Sequence, residues 1–122
     1  MLDVFSNGRL LQWVALVHVA VGAVFYRDEL RAIARDGVVA GVPYRGPKAT
    51  AFWFFVPSPP LWLAGRLLHA AEEAGDAEAL RGTSRVGAAS ALAAVVLMPV
   101  SGFWAWLLIS LRGLRTARTM RP

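Results

Sequence analysis

Met98-Pro99-Val100-Ser101-Gly102-Phe103-Trp104 lies inside Val86–Leu111, a run of 26 residues with no charge. About 20 predominantly apolar residues suffice to cross a bilayer. Pro99 has no N–H to donate, and its ring clashes with the turn before it. As one helix the run is about 39 Å long at ~1.5 Å per residue, which fits a membrane only with tilt and a kink. As two helices, Pro99 stops the first and Ser101 serves as N-cap of the second. The choice separates three crossings from four. It also decides which side each histidine faces.

Composition sets the solvent. The chain has 122 residues, 57% hydrophobic and 17% charged, with mean hydropathy +0.49. Soluble domains carry about 45–50% apolar and about 25% charged residues, so both departures point to lipid. The absence of cysteine excludes disulfides and thiolate chemistry. Only Lys48 among the thirteen basic residues is lysine, which with the abundant Ala, Gly and Val suggests a GC-rich genome. Arg112, Arg115, Arg118 and Arg121 follow the last apolar run. Beside a span they read as anchors to anionic lipid, not as nucleic-acid contacts. Leu10–Tyr26 has only Arg9 close before it and no small-x-small cleavage site before Tyr26-Arg27-Asp28-Glu29, so it reads as a retained span.

Outward from Pro99, the chain reads as a single transmembrane helical domain, 1–122. Spans are expected at about 10–26, 49–71, 78–98 and 102–115. The first continues into Arg27–Asp36, an amphipathic stretch that pairs Asp28 with Arg31 and stops at Gly37. Gly37–Lys48, with Pro43 and Pro47, is a loop. The second span carries Phe52-Trp53-Phe54-Phe55 and then Pro57-Ser58-Pro59-Pro60. Three prolines in four residues forbid a straight helix, which is expected to resume at Leu61–Ala71. Such a break in lipid needs a neighbouring helix or a cavity to satisfy the freed carbonyls. The next helix is expected from about Asp76 to Leu97. Ser84, Gly87, Ala88, Ala91 and Ala94 give it a close-packing face, inside the bundle or along a dimer seam.

Charge counting divides the two topologies. Three spans place nine basic residues on one side and four on the other; four spans place eight against five. Local chemistry at Pro99–Gly102 favours four. Ala51-Phe52-Trp53-Phe54, Leu61–Leu67, Met98–Trp104, and His18 followed by Gly22 together resemble a family of small bacterial integral membrane proteins of unknown function. The resemblance implies four helices and carries no activity; Pro57–Pro60 falls outside it. The expected fold is therefore an all-α, integral membrane four-helix bundle with a Pro-broken second helix and cytoplasmic termini. The alternative is three spans with the last kinked at Pro99.

His18 sits midway along the first span, where an ionisable group is costly and faces the bundle interior. It is either a neutral histidine bonded to a backbone carbonyl or serine, or a ligand or proton-transfer group. Arg66, His69 and Glu73, with Trp62 one turn earlier, share a helix face. They form either an interfacial cluster with a snorkelling arginine, or an anion-binding Arg66 beside a His69/Glu73 acid/base pair. Tyr44 and Arg45 either belong to a solvated loop or roof a cavity. Trp53, Trp62 and Trp104 either pack the bundle or wall an apolar pocket. Depth mismatch between His18 and His69 argues against bis-histidine ligation, and no metal or phosphate motif is present. No cofactor is expected.

Two classes of function follow. One is a multi-pass cell-membrane protein that binds a hydrophobic small molecule or lipid in a bundle cavity, with acid/base isomerisation or cyclisation as its active version. The other is a non-enzymatic subunit of a larger membrane complex or a homo-oligomeric scaffold.

Overall fold

The computed structural model describes residues 5–120, so Arg121 of the terminal cluster lies outside it. The described residues are all-α, with six helices and no strand. These are α1 (Asn7–Phe25), α2 (Arg27–Asp36), α3 (Pro47–Phe55), α4 (Ser58–Glu73), α5 (Ala77–Leu97) and α6 (Phe103–Thr119).

Helix ends follow the backbone chemistry. α1 starts at Asn7, ahead of the apolar run, because the Ser6 hydroxyl accepts the Arg9 N–H at 3.1 Å. Tyr26 separates α1 from α2, yet its N–H still bonds the Gly22 carbonyl at 2.9 Å. α2 stops at Gly37, whose φ of 115° suits glycine. At that corner Asp36 accepts from Arg35 Nε at 2.9 Å and from Lys48 Nζ at 3.0 Å, which ties the end of α2 to the start of α3. These bonds, Arg35 first, hold the Asp36 carboxyl down at about 2. Asp76 caps α5 by accepting the Ala79 N–H at 2.9 Å.

The uncharged run Val86–Leu111 forms two helices. α5 ends at Leu97 and α6 begins at Phe103. Gly102, not Ser101, is the N-cap position. The Ser101 hydroxyl instead donates to the Met98 carbonyl at 2.7 Å and accepts the Phe103 N–H at 3.4 Å. Trp104 Nε1 donates to the Pro99 carbonyl at 2.9 Å, so the turn is tied on both sides.

α1 packs along α4, and α5 along α6; the pairs meet through α1–α6 and α4–α5. Both pairs are antiparallel, since Asn7 meets Glu72 while Gln12 meets Gly65, and Leu80 meets Gly113 while Gly87 meets Trp106. The α1–α4 seam is closed by glycines. A Cβ on Gly8 would run into the Gly65 carbonyl and the His69 backbone, and one on Gly65 would lie 2.7 Å from the Gly8 carbonyl oxygen. In α5, Ser84, Gly87 and Ala91 are buried, with Gly87 against Ser110 and Ser84 against Gly113 of α6. The small-residue face is thus used within the chain. Ala88 and Ala94 are half-buried.

The interior is small and partly polar: Ala15, Ala51, Ala91 and Ala117 are buried with Asn7, Gln12, Ser58, Ser84 and Ser110. Its compact apolar cluster is Leu68, Leu80 and Ala117, with Met120 against it. Large apolar side chains such as Trp13, Val24, Leu63, Leu67, Val96 and Leu108 are exposed. Among the described residues one helix, α1, is long and apolar enough to cross a membrane. α3 and α4 are separately too short, α6 has 17 residues, and α5 opens on Glu78, Arg81 and Arg85.

Candidate functional site

The proline cluster positions the site. Trp53, Phe55 and Val56 carbonyls have no donor four residues on, because those positions are Pro57, Pro59 and Pro60. The backbone nevertheless stays in the right-handed region, with Val56 at φ −52°, ψ −38° and Pro57 at φ −68°, ψ −18°. The interruption is therefore a loss of hydrogen bonds without an excursion of the chain. α4 resumes at Ser58, three residues before the expected Leu61, because prolines are tolerated in a first turn whose N–H groups are unpaired anyway.

α1 adds a donor beside the break. His18 Nε2 lies 2.7 Å from the Phe54 carbonyl oxygen. A carbonyl offers no proton, so Nε2 carries the hydrogen and donates. The imidazole also stacks on the Phe54 ring, centroids 4.0 Å apart and planes at 10°. One turn later, Gly22 leaves room for the Phe54 and Phe55 rings; a Cβ there would approach Phe55 Cζ to 2.7 Å. His18 and Gly22 together dock the broken arm.

Below this junction an open groove of about 500 Å³ runs between α1 and the α3–α4 arm. Its walls are Ala15, Leu16, Val19, Phe55, Pro59 and Trp62, and its polar side chain is Ser58. Ser58 is 4% exposed, and its Oγ has no hydrogen-bond partner. Asn7 Oδ1 and Ser84 Oγ, away from the groove, are buried without a partner in the same way.

A second polar centre closes one end of the bundle. Glu72 Oε1 accepts the Asn7 N–H at 2.9 Å and Asn7 Nδ2 at 2.6 Å, while Oε2 accepts the Gly8 N–H at 3.0 Å. A carboxylate on the first N–H groups of α1 also complements the helix dipole. Asn7 Nδ2 reaches Thr116 Oγ1 of α6 at 3.2 Å. Buried His69 has Nδ1 3.0 Å from Ser6 Oγ and Nε2 3.5 Å from Glu73 Oε1. The contact with Glu73 is at ion-pair distance without a hydrogen bond, and the ring's protonation sets which of Ser6 Oγ and Nδ1 donates.

The residues singled out from the sequence are thus dispersed. Trp62 lines the groove. His18 stands at the junction above it, bonded to a carbonyl. His69 and Glu73 touch at the polar end, and Glu73 keeps 61% of its side chain exposed. Arg66 is exposed one turn away on α4, and Tyr44, Arg45, Trp53 and Trp104 are also exposed. Tyr44 is 90% exposed. Sequence reading missed Ser58 and Glu72. Glu72 lies on the buried Gly65–Leu68 face of α4, the one signal that separates it from its neighbour Glu73. Among the described residues no cluster of three or more metal-ligating side chains occurs.

No curated protein and no solved structure matches the chain. A family model matches residues 5–120, nearly its whole length. The chain therefore belongs to that family, described as a family of unknown function (DUF6463).

Proposed function

We propose that this chain is a multi-pass membrane protein that holds the apolar chain of a lipid or other hydrophobic small molecule in the groove between α1 and the α3–α4 arm. Two features support the membrane setting. Small and polar side chains fill the helix seams while large apolar ones face outward, the distribution expected where lipid replaces water. The antiparallel pairs also gather Arg9, Arg81, Arg85, Arg112, Arg115 and Arg118 toward one end, which the positive-inside rule assigns to the cytoplasm, together with both termini.

The groove carries the ligand reading. Its volume of about 500 Å³ falls within the usual range of roughly 300–1,000 Å³ for small-molecule sites. Its walls are apolar except for Ser58. Neither histidine lines it, so the proposal contains no acid/base step. The test is photolabelling by a diazirine-bearing acyl lipid in nanodiscs, with the labelled peptides mapped by mass spectrometry. Expected labelling falls on Leu16–Val19 and Ser58–Trp62. Leu16→Trp, at an exposed wall position, should fill the groove and reduce it. Labelling spread evenly over all helices, unchanged by Leu16→Trp, defeats the proposal.

A further inference from the structure

We infer that the groove takes an amphiphile with an oxyanion head, a carboxylate or a phosphate, and that Arg9 and Arg66 hold that head at the end of the groove nearer the chain termini. The inference rests on the groove reading above and adds the chemistry of the occupant. Gly8 and Gly65 meet across the α1–α4 seam, where a Cβ on Gly65 would lie 2.7 Å from the Gly8 carbonyl oxygen. Arg9 and Arg66 are the residues that follow these two glycines. Each helix turns by about 100° per residue. In an antiparallel pair, the residues that follow two opposed contact positions therefore turn to the same side of the seam. Arg9 and Arg66 stand level with each other on that side. It is also the side of the groove: Leu16 lies two turns after Arg9 on α1, and Trp62 lies one turn before Arg66 on α4.

The two cations are open to an outside partner. Both residues are exposed, and among the described residues neither guanidinium stands against a carboxylate. Arg9 Nη1 donates to Gln12 Oε1 at 3.3 Å, which draws the guanidinium along α1 toward Leu16 and the groove. Glu73, on the same side of α4, lies two turns beyond Arg66, away from the groove, and stands 3.5 Å from His69. The groove thus offers apolar walls that run toward a pair of arginines. The four residues from Trp62 to Arg66 rise about 6 Å, so the head of a chain lying against Trp62 comes within reach of the guanidinium. A hydrocarbon or a neutral alcohol leaves both cations to water, and an amine is repelled. A carboxylate or phosphate gains charge-assisted hydrogen bonds from the guanidinium forks. Its head stays at the exposed rim while its chain lies along the walls, so no charge enters the apolar part of the site.

The test uses the full chain in phosphatidylcholine nanodiscs and four probes with the diazirine on the chain: a C16 acid, the C16 alcohol, phosphatidylglycerol and phosphatidylcholine. At alkaline pH, where the acid is ionised, acid should label Leu16–Val19 and Ser58–Trp62 about fivefold more than alcohol, or phosphatidylglycerol about fivefold more than phosphatidylcholine. That factor is about what one exposed ion pair contributes, and it should shrink as salt screens the charges. Whichever anionic probe shows it identifies the source of the head, a free acid or a membrane phospholipid. Arg9→Gln with Arg66→Gln should abolish the anionic preference and keep alcohol labelling. Arg85→Gln, a cation of α5, should leave the preference unchanged, which separates a built site from the general positive charge of that end. Neither arginine holds a carboxylate, so the thermal midpoint of the double variant should stay near that of the parent, which separates lost recognition from lost folding. Equal labelling by anionic and neutral probes overturns the inference and leaves the groove reading standing. So does a preference that survives the double variant, or one that Arg85→Gln removes equally well. Absence of groove labelling by every probe overturns both.

Discussion

His18 Nε2 and the Phe54 carbonyl oxygen stand 2.7 Å apart across 36 residues of chain, with the imidazole stacked on the ring of Phe54 itself. The contact matters because it lies where the prolines have dismantled the helix ladder. A side chain from α1 thereby anchors the arm beside the break, at the one carbonyl of Trp53–Val56 whose position four residues on, Ser58, is not a proline.

Loss of that donor should loosen the arm. His18→Leu is expected to cost about 1–2 kcal/mol, the range for interhelical hydrogen bonds and deprived buried acceptors. His18→Gln, which keeps an N–H donor, should recover part of it. Thermal unfolding in detergent micelles followed by circular dichroism checks the order. Equal stability of all three proteins would refute it.

The glycine seam makes an opposite pair of predictions. Gly65→Ala puts a Cβ 2.7 Å from the Gly8 carbonyl oxygen and should cost about 1–3 kcal/mol through forced separation of α1 and α4. Gly82→Ala meets nothing within 4 Å and should stabilise α5 by up to about 1 kcal/mol through helix propensity. The same melting experiment compares them.

Neighbouring carboxylates should behave differently. Glu72→Gln disturbs three hydrogen bonds from Asn7 and Gly8 and should cost about 1–3 kcal/mol. Glu73→Gln, at a largely exposed side chain, should stay within about 0.5 kcal/mol. Hydrogen exchange at the first turn of α1 should accelerate in the Glu72 variant alone.

Acid should release the α2–α3 corner. Arg35 and Lys48 lower the folded Asp36 carboxyl to about 2, beneath its ordinary value of about 4. A depressed carboxylate stabilises fully above its unfolded value and loses that contribution as pH falls through the folded one. The corner should therefore hold above about pH 4 and loosen toward pH 2. Carboxyl-carbon NMR of Asp36 reads the titration directly, and Lys48→Met should move it upward. An unchanged titration in that variant would show that the 3.0 Å contact does not govern it.

What the sequence determined on its own is local. Pro99 marks a stop, Gly37 ends α2, and Asp76 opens α5, because each depends on a backbone donor or a φ angle within a turn of the residue, whereas the start of α6 falls one residue after the expected Ser101 cap. All-α character and the outward apolar excess were legible in the same way, and so was the need for a partner at the proline break. Which partner answers was decided by tertiary structure alone. Glu72 and Glu73 are adjacent in sequence, yet helical geometry turns one onto the N-terminus of α1 and leaves the other exposed. Ser58, hidden among prolines, acquires meaning only when α1 lies against it and buries its hydroxyl in an apolar wall. Backbone chemistry is settled within four residues; a donor some forty or sixty residues away is chosen by how the helices approach, and here small residues allow that approach.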